Sequence, residues 1–208
     1  MSIRKTFFFI LLLLSGLLLR TYNLSDQGFL SWDEGMYMNE VVFYDSVIKN
    51  TPFLVSACMS GTLDGESVID RIAGWPPSSA KPLHSLFIYF FTLVTGLSVF
   101  SSKFMAAIFG CLNIVVLYYA VQEYFDQRTA LISAIFLTFS GYHIYISRLG
   151  VPETNSIFFY LLTLIMINRN LLNRKMSFAL LTGITFGLCL GLNYRWIILL
   201  PAVLLPYV

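Results

Sequence analysis

Two adjacent carboxylates and a few widely separated charges are the side chains of this sequence that could do chemistry together. They are Asp33, Glu34, Lys81, Arg148, Glu153 and Arg195. A carboxylate can take the proton of an attacking hydroxyl, and cations can neutralise a departing phosphate. If the fold brings these groups together, the chemistry they suit is transfer of a group from a phosphate-linked donor.

The composition indicates that lipid surrounds the elements that carry these residues. Hydrophobic residues make up 57% of the 208-residue chain, charged residues only 12%, and the mean hydropathy is +0.75. An ordinary globular domain is about 45–50% apolar and about 25% charged. The three scattered cysteines have neither metal-ligand spacing nor the pattern of a disulfide framework, and no basic cluster indicates nucleic acid. The sequence therefore predicts an all-α integral membrane protein.

Charge-free runs give the expected membrane elements, since a spanning helix needs about 20 apolar residues. We expect a first helix at about 6–20, an external loop over 21–82 with a helix at about 32–49, and an interfacial or re-entrant helix at 83–98. Further spans are expected at about 103–122, 128–147, 153–168 and 176–194, followed by a truncated run at 196–208. No A-x-A-like cleavage site follows the first run, so we expect a retained helix rather than a signal peptide. Because the chain stops inside an apolar run, we expect it to be the N-terminal part of a longer protein.

The distribution of charge predicts the topology. Basic residues precede the first helix and fill the short loop 168–176, which the positive-inside rule assigns to the cytoplasm. The segment 21–80, with eight of the eleven acids, then lies outside. An odd number of crossings must separate residue 80 from residue 169, yet four apolar runs lie between them. We expect the run 83–98, which contains His84 and Gly96, to be the one that does not cross. All of the candidate charges then lie at the outer boundary.

Each candidate also has an ordinary structural explanation when it is taken alone. Ser31 and Glu34 have the spacing of a capping box, and acids in a first helical turn complement the helix dipole. A lysine before Pro82 can be an interface anchor, and Arg195 beside aromatic residues suits the aromatic belt. Their convergence at one membrane depth is what favours a phosphate-linked lipid substrate.

The order of these features resembles the GT-C membrane glycosyltransferases, and most closely the protein O-mannosyltransferase and aminoarabinose transferase-like branch. The resemblance is carried by an N-terminal helix, then Asp33-Glu34 with Tyr37 after them, then Lys81-Pro82, then Ser147-Arg148 with an acid at 153. It runs from about residue 20 to the end of the chain. It implies a multi-spanning GT-C-type helical bundle, whose first extracytoplasmic loop carries short interfacial helices.

The resemblance also implies roles for the candidate residues. Asp33 matches the catalytic acid of the first loop, Glu34 is its partner, and Tyr37 is assigned to substrate binding. Lys81 matches a Lys-Pro element associated with lipid-phosphate binding, although Leu83 replaces a second proline of that element. Further donor-phosphate contacts are expected from Arg148 and Arg195, the latter at a position where related enzymes commonly carry lysine.

The expected reaction is a one-step, inverting transfer of a hexosyl or pentosyl group from a polyprenyl-phosphate sugar to an acceptor protein or glycolipid, with Asp33 as general base. Glu153, where the family frequently has Asp, would orient the acceptor or hold a divalent metal cation together with Asp33. The compact first loop suggests a bacterial plasma membrane enzyme, with its site on the extracytoplasmic face.

Two other classes of protein remain open from the sequence. A secondary transporter or lipid flippase would also keep charges at membrane level, but its ionisable groups usually lie near the bilayer midplane, in broken helices of internal repeats. The expected spans here are nearly free of charge, and no repeat is visible. A membrane scaffold without chemistry would tolerate substitution of the charges at 33, 81 and 195.

Overall fold

The computed structural model describes residues 3–61, 71–73 and 81–204, and all regular structure in these ranges is helical. The elements are α1 (Ile3–Thr21), α2 (Trp32–Ser60), α3 (Pro82–Thr95), α4 (Val99–Tyr124), α5 (Gln127–Phe139), α6 (Gly141–Ile146), α7 (Glu153–Asn173), α8 (Met176–Leu192), a 3₁₀ helix (Tyr194–Leu199) and α9 (Leu200–Leu204). The expected all-α class is confirmed for the described part of the chain.

Two of the described helices, α4 and α7, are long and apolar enough to cross a membrane. The side-chain amide of Asn113 donates to the carbonyl of Thr154 at 2.9 Å near the start of α7. Ten residues further along α4, Glu123 pairs with Arg169 at 2.7 Å. Because contacts advance along both helices together, α4 and α7 run in the same direction. We call the end at which both begin the upper end, and the end with Glu123 and Arg169 the lower end.

Three further apolar helices, α1, α5 and α8, run in the opposite direction and are shorter than a full span. The rings of Phe9 in α1 and Tyr118 in α4 lie 4.9 Å apart, whereas the end of α1 approaches the first half of α4. The side chain of Cys189, near the end of α8, contacts the carbonyl of Ser156 near the start of α7. These helices therefore end at the upper end.

The uncharged run 128–147 forms two helices, α5 and α6, where the sequence suggests one. The break falls at Ser140, whose backbone is extended and whose hydroxyl accepts a hydrogen bond from the amide of His143 as the cap of α6. A hydroxyl that caps a new helix offers the backbone an alternative to continuing the old one. The break turns α6 towards the connection that precedes α7.

The helix after the first acids, α2, begins at Trp32 behind the expected capping box but ends later than expected. It continues through Pro52 to Ser60 and stops at Gly61, which adopts a left-handed conformation with φ 68°. Proline removes only one backbone donor and usually ends a helix, which is why the sequence suggests an end near residue 49. The expected external loop is in part helical, and its residues 62–70 and 74–80 lie outside the described ranges.

Helix α3 connects two places that are both at the upper end of the molecule. Near its start, His84 contacts the carbonyl of Gly150 at 3.0 Å. At its end, Thr95 donates to Ser101 in the first turn of α4 at 2.8 Å. Both ends of this 14-residue helix thus lie at the same end of the bundle, and that the run does not cross a membrane stays a prediction.

Several charged and polar side chains are buried inside the molecule, while many large apolar side chains are exposed on its surface. Fully buried groups include Arg20, Glu34, His84, Lys103 and Asn155, whereas Val94 and Phe136 are 88% and 74% exposed. In lipid, ionisable groups face the interior of a helix bundle and commonly mark function. The upper-end groups among them surround the expected site.

Candidate active site

The capping box at the start of α2 gives the two adjacent acids opposite environments. The amide of Glu34 donates to the Ser31 hydroxyl at 3.3 Å, and the Glu34 carboxylate accepts from the amides of Ser31 and Leu30 at 3.0 and 2.7 Å. The Glu34 side chain therefore folds back into the protein and is fully buried. Asp33, one position earlier and about 100° around the helix, is exposed to solvent.

The second oxygen of Glu34 connects α2 to two distant parts of the chain. It accepts a hydrogen bond from the amide of Gly150 at 2.8 Å. It also lies 3.6 Å from the ammonium of Lys103, which itself donates to the carbonyl of Gly28 at 2.7 Å. Both side chains of this ion pair are 0% exposed. The two oxygens of Glu34 are thus occupied by three amides and one ammonium, which links α2 to the turn before α7 and to α4.

Tyr37 is the residue on which the charges of Asp33, Glu153 and Arg195 act together. Its ring is buried, packs edge-on against His84 with ring centres 4.6 Å apart, and has the Lys81 ammonium 6.0 Å from its centre. Burial raises the pKa of the Tyr37 phenol, and the negative charges of Asp33, Glu153 and Glu40 raise it further, while Arg195 opposes them. The phenol therefore keeps its proton and remains a hydrogen-bond donor at neutral pH.

The elements that carry these groups are separate in sequence. Asp33 lies in the first turn of α2, Lys81 precedes α3, and Glu153 begins α7. Arg195 lies in the 3₁₀ helix after α8, where its backbone amide donates to the side chain of Asn193 at 3.3 Å. Charges from four elements thus act on one place at the upper end.

Arg148 has a different partner from the other predicted cations. Its guanidinium donates to the carbonyl of Leu19 in the last turn of α1, at 3.1 Å. A cation at this position satisfies an otherwise unpaired carbonyl and complements the helix dipole. Helix α1 is thereby attached to the turn that leads into α7.

Several buried polar residues near the site are not predicted from the sequence. In the sequence, Lys103 stands at the expected start of a membrane span. A lysine between two apolar runs is itself an indication of a functional or structural role. His84 contacts Gly150 and also Asn155, the latter at 3.2 Å. Glu40 accepts a hydrogen bond from Ser85 at 2.5 Å. Nothing local in the sequence shows which of these groups meet, because their partners are 40 or more residues away.

A second buried cluster lies beside the site, between α1 and the break after α5. The Arg20 guanidinium donates to His143 Nδ1 at 2.8 Å and to the carbonyls of Leu137 and Thr138 at 3.2 and 3.3 Å. These carbonyls end α5 and need donors, because a helix leaves its last carbonyls unpaired. Arg20 therefore stabilises the break at Ser140.

A metal site of three protein ligands is not present among the described residues: no three His, Cys, Asp or Glu side chains converge there. Asp33 and Glu153 both raise the pKa of Tyr37, and they are the candidate carboxylates for binding a metal cation. The metal dependence of the reaction stays a prediction.

Comparison with known proteins identifies the family. The model for the dolichyl-phosphate-mannose-protein mannosyltransferase family matches residues 77–208. This match includes Lys81, Arg148, Glu153 and Arg195, whereas Asp33 lies before it. A search of curated proteins and a search of solved structures returned no significant match. Since the family model covers more than half of the chain, the protein belongs to the dolichyl-phosphate-mannose-protein mannosyltransferase family of GT-C membrane glycosyltransferases.

Proposed function

We propose that this protein transfers a sugar from a polyprenyl-phosphate-linked donor to an acceptor hydroxyl on the extracytoplasmic face. The proposal is supported by the family match, by the charges of Asp33, Glu153 and Arg195 that act on the Tyr37 phenol, and by the Lys81 ammonium 6.0 Å from the centre of the Tyr37 ring. Acids and bases at one place match the two needs of the reaction, which are deprotonation of an acceptor and stabilisation of a phosphate.

Asp33 acts as the general base. As the acceptor oxygen bonds to the anomeric carbon, its proton passes to the Asp33 carboxylate. The bond from the anomeric carbon to the phosphate oxygen breaks, and its electron pair leaves with the polyprenyl phosphate. Attack opposite the leaving group inverts the anomeric carbon. The exposure of Asp33 supports this assignment, because the base must reach the acceptor.

Lys81 and Arg195 bind the donor phosphate and neutralise the charge that grows on it. Preorganised cations are effective in this role, because they cost little reorganisation as the leaving group departs. Arg148 contributes more weakly, since it holds the end of α1 through the Leu19 carbonyl. The guanidinium of Arg148 still places a third positive charge near the turn that precedes α7.

Glu153 and Tyr37 orient the acceptor and the donor sugar. Glu153 is partly exposed in the first turn of α7, as an acceptor-binding carboxylate requires. The Tyr37 phenol keeps its proton because burial and nearby carboxylates raise its pKa, so it offers a donor to a sugar hydroxyl. Glu34 is assigned to positioning, because its oxygens are occupied.

The extracytoplasmic face is inferred from the two ends of the bundle. The loop with Arg174 and Lys175 follows α7 and therefore lies at the lower end, beside the Glu123–Arg169 pair. The positive-inside rule assigns that end to the cytoplasm. The opposite end, with Asp33 and Tyr37, then faces outwards, where the phosphate of an outer-leaflet lipid donor would lie.

The test uses membranes with the full-length protein and a panel of labelled polyprenyl-phosphate sugars, including mannose. Consumption of one donor by wild type, with a loss of about 10²–10⁴-fold in Asp33→Asn, would support the proposal. Asp45→Asn is the matched control, since Asp45 lies on the same helix and pairs only with exposed Lys49 in the described structure. Fractionation of the labelled product separates protein from glycolipid acceptors. No donor consumption by folded wild type would reject glycosyl transfer and favour a transporter.

A further inference from the structure

The backbone of Gly150 is held at its amide and at its carbonyl by buried side chains from two different helices. Its amide donates to the Glu34 carboxylate of α2 at 2.8 Å, and its carbonyl contacts His84 Nε2 of α3 at 3.0 Å. Both side chains are fully buried. One residue of the turn before α7 therefore joins three segments that are distant in sequence.

Each of the two side chains is itself fixed by a second buried partner. Lys103 of α4 lies 3.6 Å from the Glu34 carboxylate and balances its charge. Asn155 of α7 donates its side-chain amide to His84 Nδ1 at 3.2 Å. Because Nδ1 accepts, the proton of the neutral imidazole lies on Nε2, which makes His84 the donor to the Gly150 carbonyl.

The position accepts only glycine because of close packing. A Cβ atom on Gly150 would lie 2.6 Å from Oγ and 2.9 Å from Cβ of Ser102 in α4. Real Cβ atoms do not approach other heavy atoms so closely, so a side chain would push the turn away from α4. The absence of a side chain is what allows the turn to lie against α4, where its backbone contacts both Glu34 and His84.

The three joined segments each carry a residue of the proposed reaction. Asp33 precedes Glu34, Lys81 lies three residues before His84, and Glu153 lies three residues after Gly150. We propose that the backbone of Gly150 sets the relative position of the base, the donor-phosphate lysine and the acceptor carboxylate. Lys103, His84 and Asn155 are then positioning residues of the enzyme. This inference rests on the proposed glycosyl transfer.

The first test compares Gly150→Ala with Gly141→Ala in the full-length protein purified in detergent. A Cβ on Gly141 meets no atom within 4 Å, so this variant is a matched control in the same connection. We expect Gly150→Ala to lower kcat per folded molecule by about 100-fold, because small displacements of reacting groups have effects of that size. The KM for the donor should change much less. Gly141→Ala should keep both values.

A second substitution that compensates for the first tests whether the position of the turn against α4 is what matters. Ser102→Gly removes the two atoms that a Cβ on Gly150 would meet. We therefore expect the double variant Gly150→Ala/Ser102→Gly to recover most of the kcat that Gly150→Ala loses. A purely structural role predicts an unchanged kcat per folded molecule in every folded variant, and that result would overturn the inference.

Two further measurements keep the inference testable if a variant or the assay fails. If Gly150→Ala does not fold, His84→Phe applies the same test, because it removes the donor to the Gly150 carbonyl and keeps an aromatic ring against Tyr37. Hydrogen exchange of the peptide that contains Gly150 should be slow in wild type and faster in Glu34→Met, because methionine has no side-chain oxygen to accept from the Gly150 amide. If wild type consumes no donor, the proposed function fails, while the exchange result still decides whether this peptide is held. Equal exchange in both forms would reject the holding of Gly150 itself.

Discussion

At the residue scale, burial rather than distance decides which ion pair stabilises the fold. The pair Glu34–Lys103, at 3.6 Å, is fully buried, whereas Asp45–Lys49, at 2.7 Å, is on the surface of α2. An exposed pair is screened by water and contributes little. Removing one partner of a buried pair leaves a charge that neither water nor a counterion stabilises.

We therefore expect Glu34→Gln or Lys103→Met alone to lower the free energy of unfolding by about 3–5 kcal/mol. The double variant should lose less than either single variant, because it leaves no unpaired buried charge. Unfolding in detergent, followed by intrinsic fluorescence, gives the double-mutant cycle. Asp45→Asn with Lys49→Met is the control and should show little change. Additive losses at 34 and 103 would show that the two residues do not act as a pair.

Tyr37 should make the fold sensitive to alkaline pH. Its folded-state pKa is raised, first by burial and then by nearby carboxylates. The stabilising contribution is fully present below the unfolded pKa of about 10 and is lost as the pH rises above it. Tyr37→Phe should therefore flatten the fall in unfolding temperature above about pH 10. Tyr142→Phe, at a side chain that is 73% exposed, is the control. The same alkaline slope in wild type and Tyr37→Phe would contradict this prediction.

At the element scale, the fold depends on close approaches that sequence patterns do not reveal. A Cβ on Gly110 of α4 would lie 2.7 Å from Cβ of Ser147 and 3.0 Å from Cδ of Arg20. Gly110→Ala should destabilise the protein by about 1–3 kcal/mol through overpacking. Gly187→Ala in α8, where a Cβ meets no atom within 4 Å, should be neutral or stabilising. Thermal unfolding of both variants is the measurement, and equal stability would contradict the close packing of α1, α4 and α6.

At this scale, the sequence predicts those helix boundaries that depend on neighbouring residues alone. The spacing of Ser31 and Glu34 predicts the capping box that starts α2, because all of its partners lie within four residues. The break at Ser140 is not predictable from an uncharged run, since Arg20 stabilises it from 120 residues away. Likewise, the sequence does not show that Glu34 also binds the amide of Gly150 and lies beside Lys103, because both partners are distant in sequence.

At the scale of the whole molecule, the two ends of the bundle differ in what holds them. The upper end is held by buried contacts around Glu34, His84 and Arg20, while the lower end has the partly exposed pair Glu123–Arg169. Surface pairs of this kind contribute about 0–1 kcal/mol. We therefore expect the upper end to be the more rigid one, as a site that aligns a lipid donor with an acceptor requires.

The proposed orientation of these ends can be tested with a cysteine that the chain already has. Cys58 is exposed near the end of α2, whereas Cys189 is buried and Cys111 is partly buried. If the upper end and the loop before α3 face outwards, a membrane-impermeant maleimide added to intact cells should label wild type. Cys58→Ser should abolish that labelling. Adding Asn173→Cys to this variant places a thiol at the lower end, which should react only after permeabilisation. Labelling of Cys58 solely in permeabilised cells would invert the topology and remove the basis for an outer-leaflet donor, while leaving the family assignment intact.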